Sequence, residues 1–224
     1  MTERFSIAID GPAGAGKSTL AKAVAEKLGF LYVDTGAIYR TVGYHMRLMG
    51  IGPRDLDGIT RLIDDVNLDI RYLDGKQHMI LNGKDVTDEI RTPEMSMYAS
   101  AVSAFPVVRE FLLEMQRKLA RENNVVMDGR DIGTVVLPYA DVKIFLTASE
   151  EVRAERRFKE LTQKGEKTSY QKVLAEMKQR DRQDAQRSAA PLRCAPGAVR
   201  LDTSALSEEE AKEEILRIVR RKLK

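Results

Sequence analysis

FSIAIDGPAGAGKST, residues 5–19, decides the fold. FSIAID is a short apolar run of strand type, and it leads straight into Gly11-Pro12-Ala13-Gly14-Ala15-Gly16-Lys17-Ser18-Thr19. The first eight of these residues fit the G-x-x-x-x-G-K-[ST] pattern. Glycines let the backbone wrap closely, so that successive N–H groups point inward at phosphate oxygens. A helix that follows adds its positive N-terminal end. In this pattern Lys17 reaches the β/γ-phosphates and Ser18 offers a hydroxyl to Mg²⁺. A chance glycine turn with an ordinary surface lysine is the bland alternative. The full match between a strand and a helix disfavours it, so residues 11–19 are expected to hold a nucleoside triphosphate.

Lys17 to Leu28 has helical periodicity and stops at Gly29, a good C-terminal cap. LYVD (31–34) reads as a second strand, followed by helix from about Gly36 to Met49. Strand, helix, strand, helix implies a parallel sheet with crossovers. The middle differs. In LDIRYLDGKQHMILNGKDV (68–86), Asp74-Gly75 and Asn82-Gly83 are hairpin signals, so a small antiparallel insertion is expected, leading into helices at about 93–104 and 106–122. Alternation resumes with VVMD (125–128) and VKIFLTA (142–148). An Arg-rich helical region over 149–189 breaks near QKGEKTS (163–169). VRLDT (199–203) is a last strand, and Ser207 with Glu210 forms a capping box for a closing helix.

The 224 residues suit one α/β domain with inserted excursions, and 43% apolar with 32% charged residues suits a globular chain. No apolar stretch approaches the ~20 residues of a membrane helix. No basic segment followed by a long apolar core marks a secretory signal, and the single Cys194 forms no internal disulfide. A cytoplasmic address is expected, with no membrane partner. A net charge of +3, spread along the chain, argues against a nucleic-acid surface.

A triphosphate site leaves two classes open: an enzyme moving phosphate to an acceptor, or a nucleotide-controlled switch or motor. A guanine-reading N-K-x-D is absent from the sequence, and a motor is usually longer. Acceptor chemistry calls for a second anion site rich in arginine. Arg40 lies in DTGAIYR (34–40) behind one strand end, and Arg130 in VVMDGRDIGT (125–134) behind another. In a parallel sheet the C-terminal strand ends share the edge where ligands bind, so both are expected near the phosphate loop. Arg180 and Arg187, seven apart on the late helical region, share a face, and Arg153, Arg156 and Arg157 crowd its first half. Phosphoryl transfer relies on such cations and Mg²⁺ rather than on covalent catalysis. His45 and His78 lie away from these strand ends.

IDGPAGAGKST, DTGAIYR, DGRDIGTVVLP and RDRQDAQRSAAPL (180–192) together resemble the bacterial cytidylate kinases, from about Ile7 to the final helix. The resemblance implies a three-layer α/β P-loop kinase fold with a central parallel sheet. One domain, 1–224, would carry an acceptor-binding insertion at 36–105, with a small antiparallel sheet, and a helical lid at 150–175. It implies phosphorylation of CMP and dCMP by ATP with Mg²⁺, and a monomer is expected. By matching motif, Arg40, Arg130 and Arg187 would hold the acceptor phosphate, while Ser100, Arg109 and Asp131 would read cytosine. Arg180 and Asp184 would contact the sugar, and Thr35 keeps a hydroxyl where family members often have serine. Lys17, Arg130, Arg153, Arg157 and Arg187 would stabilise the transferring charge.

The base assignment is chemically sound, because Asp131 can accept from the N4 amine of cytosine while Arg109 and Ser100 donate to the ring. Uracil would turn an O4 acceptor towards that carboxylate. Asp128 has two readings: it orients Mg²⁺ waters or pairs with a neighbouring cation. A structural salt bridge within 128–131, a solvated basic helix paired with Glu150, Glu151 and Glu155 in place of a lid, a UMP kinase, and a nucleotide-dependent regulatory protein are the alternatives.

Overall fold

Ser6–Asp10 (β1) occupies the centre of a five-stranded parallel sheet, flanked by Val125–Gly129 (β6) and Val142–Thr147 (β7). Leu31–Asp34 (β2) lies outside β6 and Val199–Asp202 (β8) outside β7, giving the order β2-β6-β1-β7-β8. The computed structural model describes residues 4–223, so the extreme residues of the expected 1–224 unit lie outside the described residues.

Alternate residues of the buried strands feed two cores, which is why the strands read as continuous apolar runs. Ile7, Ile9, Val126 and Ile144 meet helix α1 (Lys17–Leu28) and the closing helix Glu208–Arg220 through Leu20, Val24, Ile215 and Val219. On the opposite face, Ala8, Val33 and Met127 meet α2 (Thr35–Leu48) and the helix Pro106–Glu122 through Ile38, Val42, Val108 and Leu112. Each Val, Leu, Ile or Met side chain among these contributes about 1.5–3 kcal/mol by leaving water. The result is the expected three-layer α/β architecture. Ser207 and Glu210 make the capping box that starts the last helix.

Between β2 and β6 the chain adds α3 (Leu56–Leu62), an antiparallel sheet of β3 (Leu68–Leu73), β4 (Lys76–Leu81) and β5 (Lys84–Asp85), then α4 (Pro93–Val102) and α5 (Pro106–Glu122). Asp74 and Asn82 take positive φ ahead of Gly75 and Gly83, the left-handed pairs that hairpin turns need. The small sheet is tied to the large one. Gln77 on β4 accepts from the Asp34 N–H (2.8 Å) and donates to the Asp34 carbonyl (3.2 Å). Tyr72 on β3 donates to the Tyr32 carbonyl (3.0 Å).

The late Arg-rich region is two helices, α6 (Glu150–Gln163) and α7 (Tyr170–Gln186), packed through Ala154, Leu161, Val173 and Met177. Here the structure corrects the sequence reading. Helix α7 ends at Gln186, and Arg187 leaves it in an extended conformation (ψ 141°), so Arg180 and Arg187 do not share a helix face. Arg187 instead turns inward, held by contacts from distant segments. The short α3 and a π-helical turn at Ile132–Val136 have no counterpart in the expected elements.

Candidate active site

The phosphate loop leaves β1 through Gly11, whose φ of 153° and position allow nothing larger. A Cβ there would stand 2.0 Å from the Leu146 carbonyl oxygen of β7. Gly16, in left-handed conformation, starts α1. Lys17 is buried, and its ammonium donates to the Pro12 carbonyl (2.7 Å), so the loop folds around its own lysine. Burial, followed by the nearby Arg130 guanidinium, pushes Lys17 down to about 7. At the loop's tip the Ala13 N–H donates to Asp181 (3.2 Å), while the Ala13 carbonyl accepts from Arg153 (2.9 Å). Thr19 is exposed at the start of α1.

Beside the loop, the Ser18 hydroxyl and the Tyr32 hydroxyl both donate to the Asp128 carboxylate, each at 2.9 Å. Asp128 ends up buried, and burial with the neighbouring Asp34 raises it to about 6, although Lys17 opposes the rise. Among the described residues no group of three or more His, Cys, Asp or Glu side chains could cage a metal ion. One hydroxyl and one carboxylate beside a phosphate cradle suit Mg²⁺, which keeps waters and takes most remaining ligands from phosphates.

Arginines gather on the same sheet edge. Arg40 pairs with Asp34 (2.9 Å), and Arg130 pairs through Nε with Asp184 (2.8 Å). Asp184 holds Arg130 above its ordinary value and is itself held low by Arg130 and Arg180, against burial. Arg180 differs, because its buried Nε has no hydrogen-bond partner among the described residues. Burial and then Arg130 lower it to about 10 against the pull of Asp184, with Arg40 and Arg157 adding to the repulsion. Arg40 Nε is likewise buried and unsatisfied. Guanidiniums with unsatisfied Nε groups and few carboxylates among them favour a further anion joining the cluster.

The far end of this edge carries Asp131, buried between two guanidiniums. Arg109 donates to one of its oxygens and Arg187 Nη2 to the other (3.2 Å). Both arginines also meet at Ser103: Arg109 donates to its carbonyl and Arg187 to its hydroxyl, each at 3.1 Å. The Tyr39 ring lies 5.6 Å from the Arg109 guanidinium carbon. Arg187 therefore contacts the base-reading carboxylate expected at 131 rather than the Arg130–Arg180 cluster. Ser100 is one step away from Arg109, donating to Asp184 (3.4 Å). The Thr35 hydroxyl is buried and donates to the Asp128 carbonyl (2.7 Å).

The arginines of α6 divide. Arg153 is buried, spending its donors on Ala148, Ala13 and Asp181, which removes it from the open edge. Arg156 bonds Thr203, and Arg157 pairs with Glu160 while facing Arg180 electrostatically. His45 is buried in α2 and His78 pairs with Asp85 in the small sheet.

Sequence reasoning missed Asp10, Tyr32, Gln77, Ser103 and Asp181. Asp10 accepts from the N–H groups of Ile132 (2.8 Å) and Gly133 (2.7 Å), anchoring the turn that presents Asp131. Burial raises it to about 6. Asp10 at a strand end before the phosphate loop and Asp181 beside Arg180 were visible as charges in functional company.

A phosphate loop and a group of arginines on the carboxyl edge of one parallel sheet are the parts that a nucleotide-dependent kinase acting on a phosphorylated acceptor requires. The chain belongs to the cytidylate kinase family, whose members it matches over residues 7–221. The cytidylate kinase of Caldicellulosiruptor bescii is 50% identical over 216 residues, 96% of each chain. That of Fervidobacterium nodosum is 51% identical over 214 residues, covering 96% of this chain and 95% of its own. That of Geobacillus kaustophilus is 47% identical over 223 residues, 100% of both. It is accordingly a nucleoside monophosphate kinase, a transferase. No helix among the described residues is long and apolar enough to cross a membrane.

Proposed function

We propose that this kinase transfers the γ-phosphoryl group of ATP to CMP and dCMP by direct in-line displacement, with no covalent enzyme intermediate. One observation carries the reading: the buried Nε of Arg180 has no hydrogen-bond partner among the described residues, and Arg130, Arg40 and Arg157 repel its guanidinium with Asp184 as the opposing charge, so an anion beside the phosphate loop would be favourably held there. The acceptor's phosphate supplies it. Arg40 and Arg130, already oriented by Asp34 and Asp184, would complete the grip.

Residues 11–19 would cradle the donor, with Lys17 released from the Pro12 carbonyl to reach its phosphates. Ser18 and Asp128 would hold Mg²⁺, which when bound neutralises charge on the donor oxygens. Asp131 would accept from the cytosine amine, since each carboxylate oxygen keeps a free lone pair after bonding one guanidinium. Arg109, with Ser100 nearby, would donate to the ring, and Arg187 would serve the base end first and the phosphate second. Asp184 would position Arg130 and meet the sugar. Thr35, with its hydroxyl spent on Asp128, would act by fixing that strand end. Residues 36–105 would carry the acceptor. Residues 150–175 would close over the donor, with Arg157 adding charge and water excluded to prevent wasteful hydrolysis. The unit works as a cytoplasmic monomer in this reading.

A coupled assay with ATP and a panel of monophosphates tests it. CMP and dCMP should be the best acceptors. If UMP or AMP outruns CMP, the base assignment fails, and if none reacts, a regulatory role replaces transfer.

A further inference from the structure

We propose that Asp181 is a positioning residue that fixes the register between the phosphate loop and α7, and through it the spacing between donor and acceptor. The proposal rests on the transfer reading above. One oxygen of Asp181 accepts from the Ala13 N–H (3.2 Å), and the other accepts from Arg153 Nη1 (2.6 Å). The same Arg153 Nη1 donates to the Ala13 carbonyl (2.9 Å), and Arg153 Nε donates to the Ala148 carbonyl at the end of β7 (2.9 Å). Both backbone groups of one loop residue are thus held by an ion pair whose two members come from α6 and α7.

The next residue adds packing to this ring of bonds. A Cβ on Gly14 would stand 2.9 Å from Met177 Cε and 3.0 Å from the Arg153 carbonyl oxygen, so the loop tip lies directly on both helices. Met177 and Asp181 are one turn apart on α7 and share the face that touches the loop. Arg180 and Asp184 flank Asp181 on the same helix and face the arginine cluster. Docking α7 on Ala13 therefore sets how far Arg180 and Asp184 stand from the loop. In-line transfer is steep in that distance, and a shift of ~1 Å costs on the order of 100-fold in rate. The pair is also well placed to persist, because Arg153 is buried and, among the described residues, Asp181 is the carboxylate within bonding distance of its charge.

The test uses the whole protein with Asp181→Ala and Asp181→Asn. Asn keeps an oxygen for the Ala13 N–H but loses the charge that holds Arg153, so it should recover part of what Ala loses. For D181A, kcat for CMP should fall about 10- to 100-fold while the calorimetric Kd for CMP alone stays within about threefold. The ratio of transfer to acceptor-free ATP hydrolysis should fall as well. An unchanged kcat in D181A, or a CMP affinity that falls in step with kcat, overturns the proposal. If D181A does not fold, D181N decides by the same two readouts. Wild-type protein that ignores CMP would instead overturn the transfer reading, which keeps the two failures distinct.

Discussion

Asp131→Asn changes almost no volume but removes the negative charge between two buried guanidiniums. The side chains of Asp131, Arg109 and Arg187 are 6%, 10% and 5% exposed. Breaking a buried ion pair by removing one partner costs about 3–5 kcal/mol, because the surviving charge stays buried. At about 2–4 °C per kcal/mol for a chain of this size, Tm should fall by roughly 10 °C. Specificity should move separately. A hydrogen bond to a charged group contributes about 1.5–3 kcal/mol, and asparagine can offer its amide N–H to the O4 of uracil. Loss for cytosine and gain for uracil act together, so the ratio of kcat/KM for CMP over UMP should fall about 100- to 1,000-fold. The assay is a coupled ADP-release measurement with each acceptor, run well below the lowered Tm. A drop in Tm with an unchanged CMP-to-UMP ratio would refute base reading by Asp131 and leave it a structural counter-ion.

Three further outcomes follow from the geometry. Asp10 is raised from 3.8 to about 6 by burial, so between those values the folded protein holds a proton that the unfolded chain releases. Stability should therefore drop by ~3 kcal/mol as pH climbs through that window, and Asp10→Asn should lose this slope in urea unfolding compared across pH 4–7. Arg180→Met removes a guanidinium with an unsatisfied buried Nε, on which repulsion from three arginines outweighs attraction to Asp184, so Tm should rise by a few degrees while KM for CMP worsens about 10- to 100-fold, a stability–function trade-off read by calorimetry and steady-state kinetics. Gly11→Ala forces a Cβ against the Leu146 carbonyl oxygen, and urea unfolding should show a loss above ~3 kcal/mol.

Strands and phosphate loop were legible because their signals are local: an apolar run, a fixed glycine spacing, a left-handed cap at Gly29. The same holds for the hairpins at Asp74-Gly75 and Asn82-Gly83, where turn chemistry sits in two adjacent residues. Helix α7 was drawn too long because no glycine or proline stands at its true end, and Arg187 leaves it for Asp131, Ser103 and the Ala190 carbonyl. Those partners include residues 56 and 84 positions away. At the site, arginines beside strand ends could be placed by sheet topology alone. Which carboxylate each one meets could not. Asp181 reaches an amide 168 residues distant and Asp10 reaches amides 122 and 123 residues distant, so their roles exist only in the folded chain.

Gln77 grips both backbone groups of Asp34, and Asp34 in turn caps α2 and orients Arg40. The hairpin is thus a brace for the acceptor grip and not a detachable ornament. Anyone grafting a foreign insertion to change which base is accepted inherits that obligation: the donor segment must bring an amide side chain to the same spot, or Arg40 will lose its aim whatever new pocket has been built.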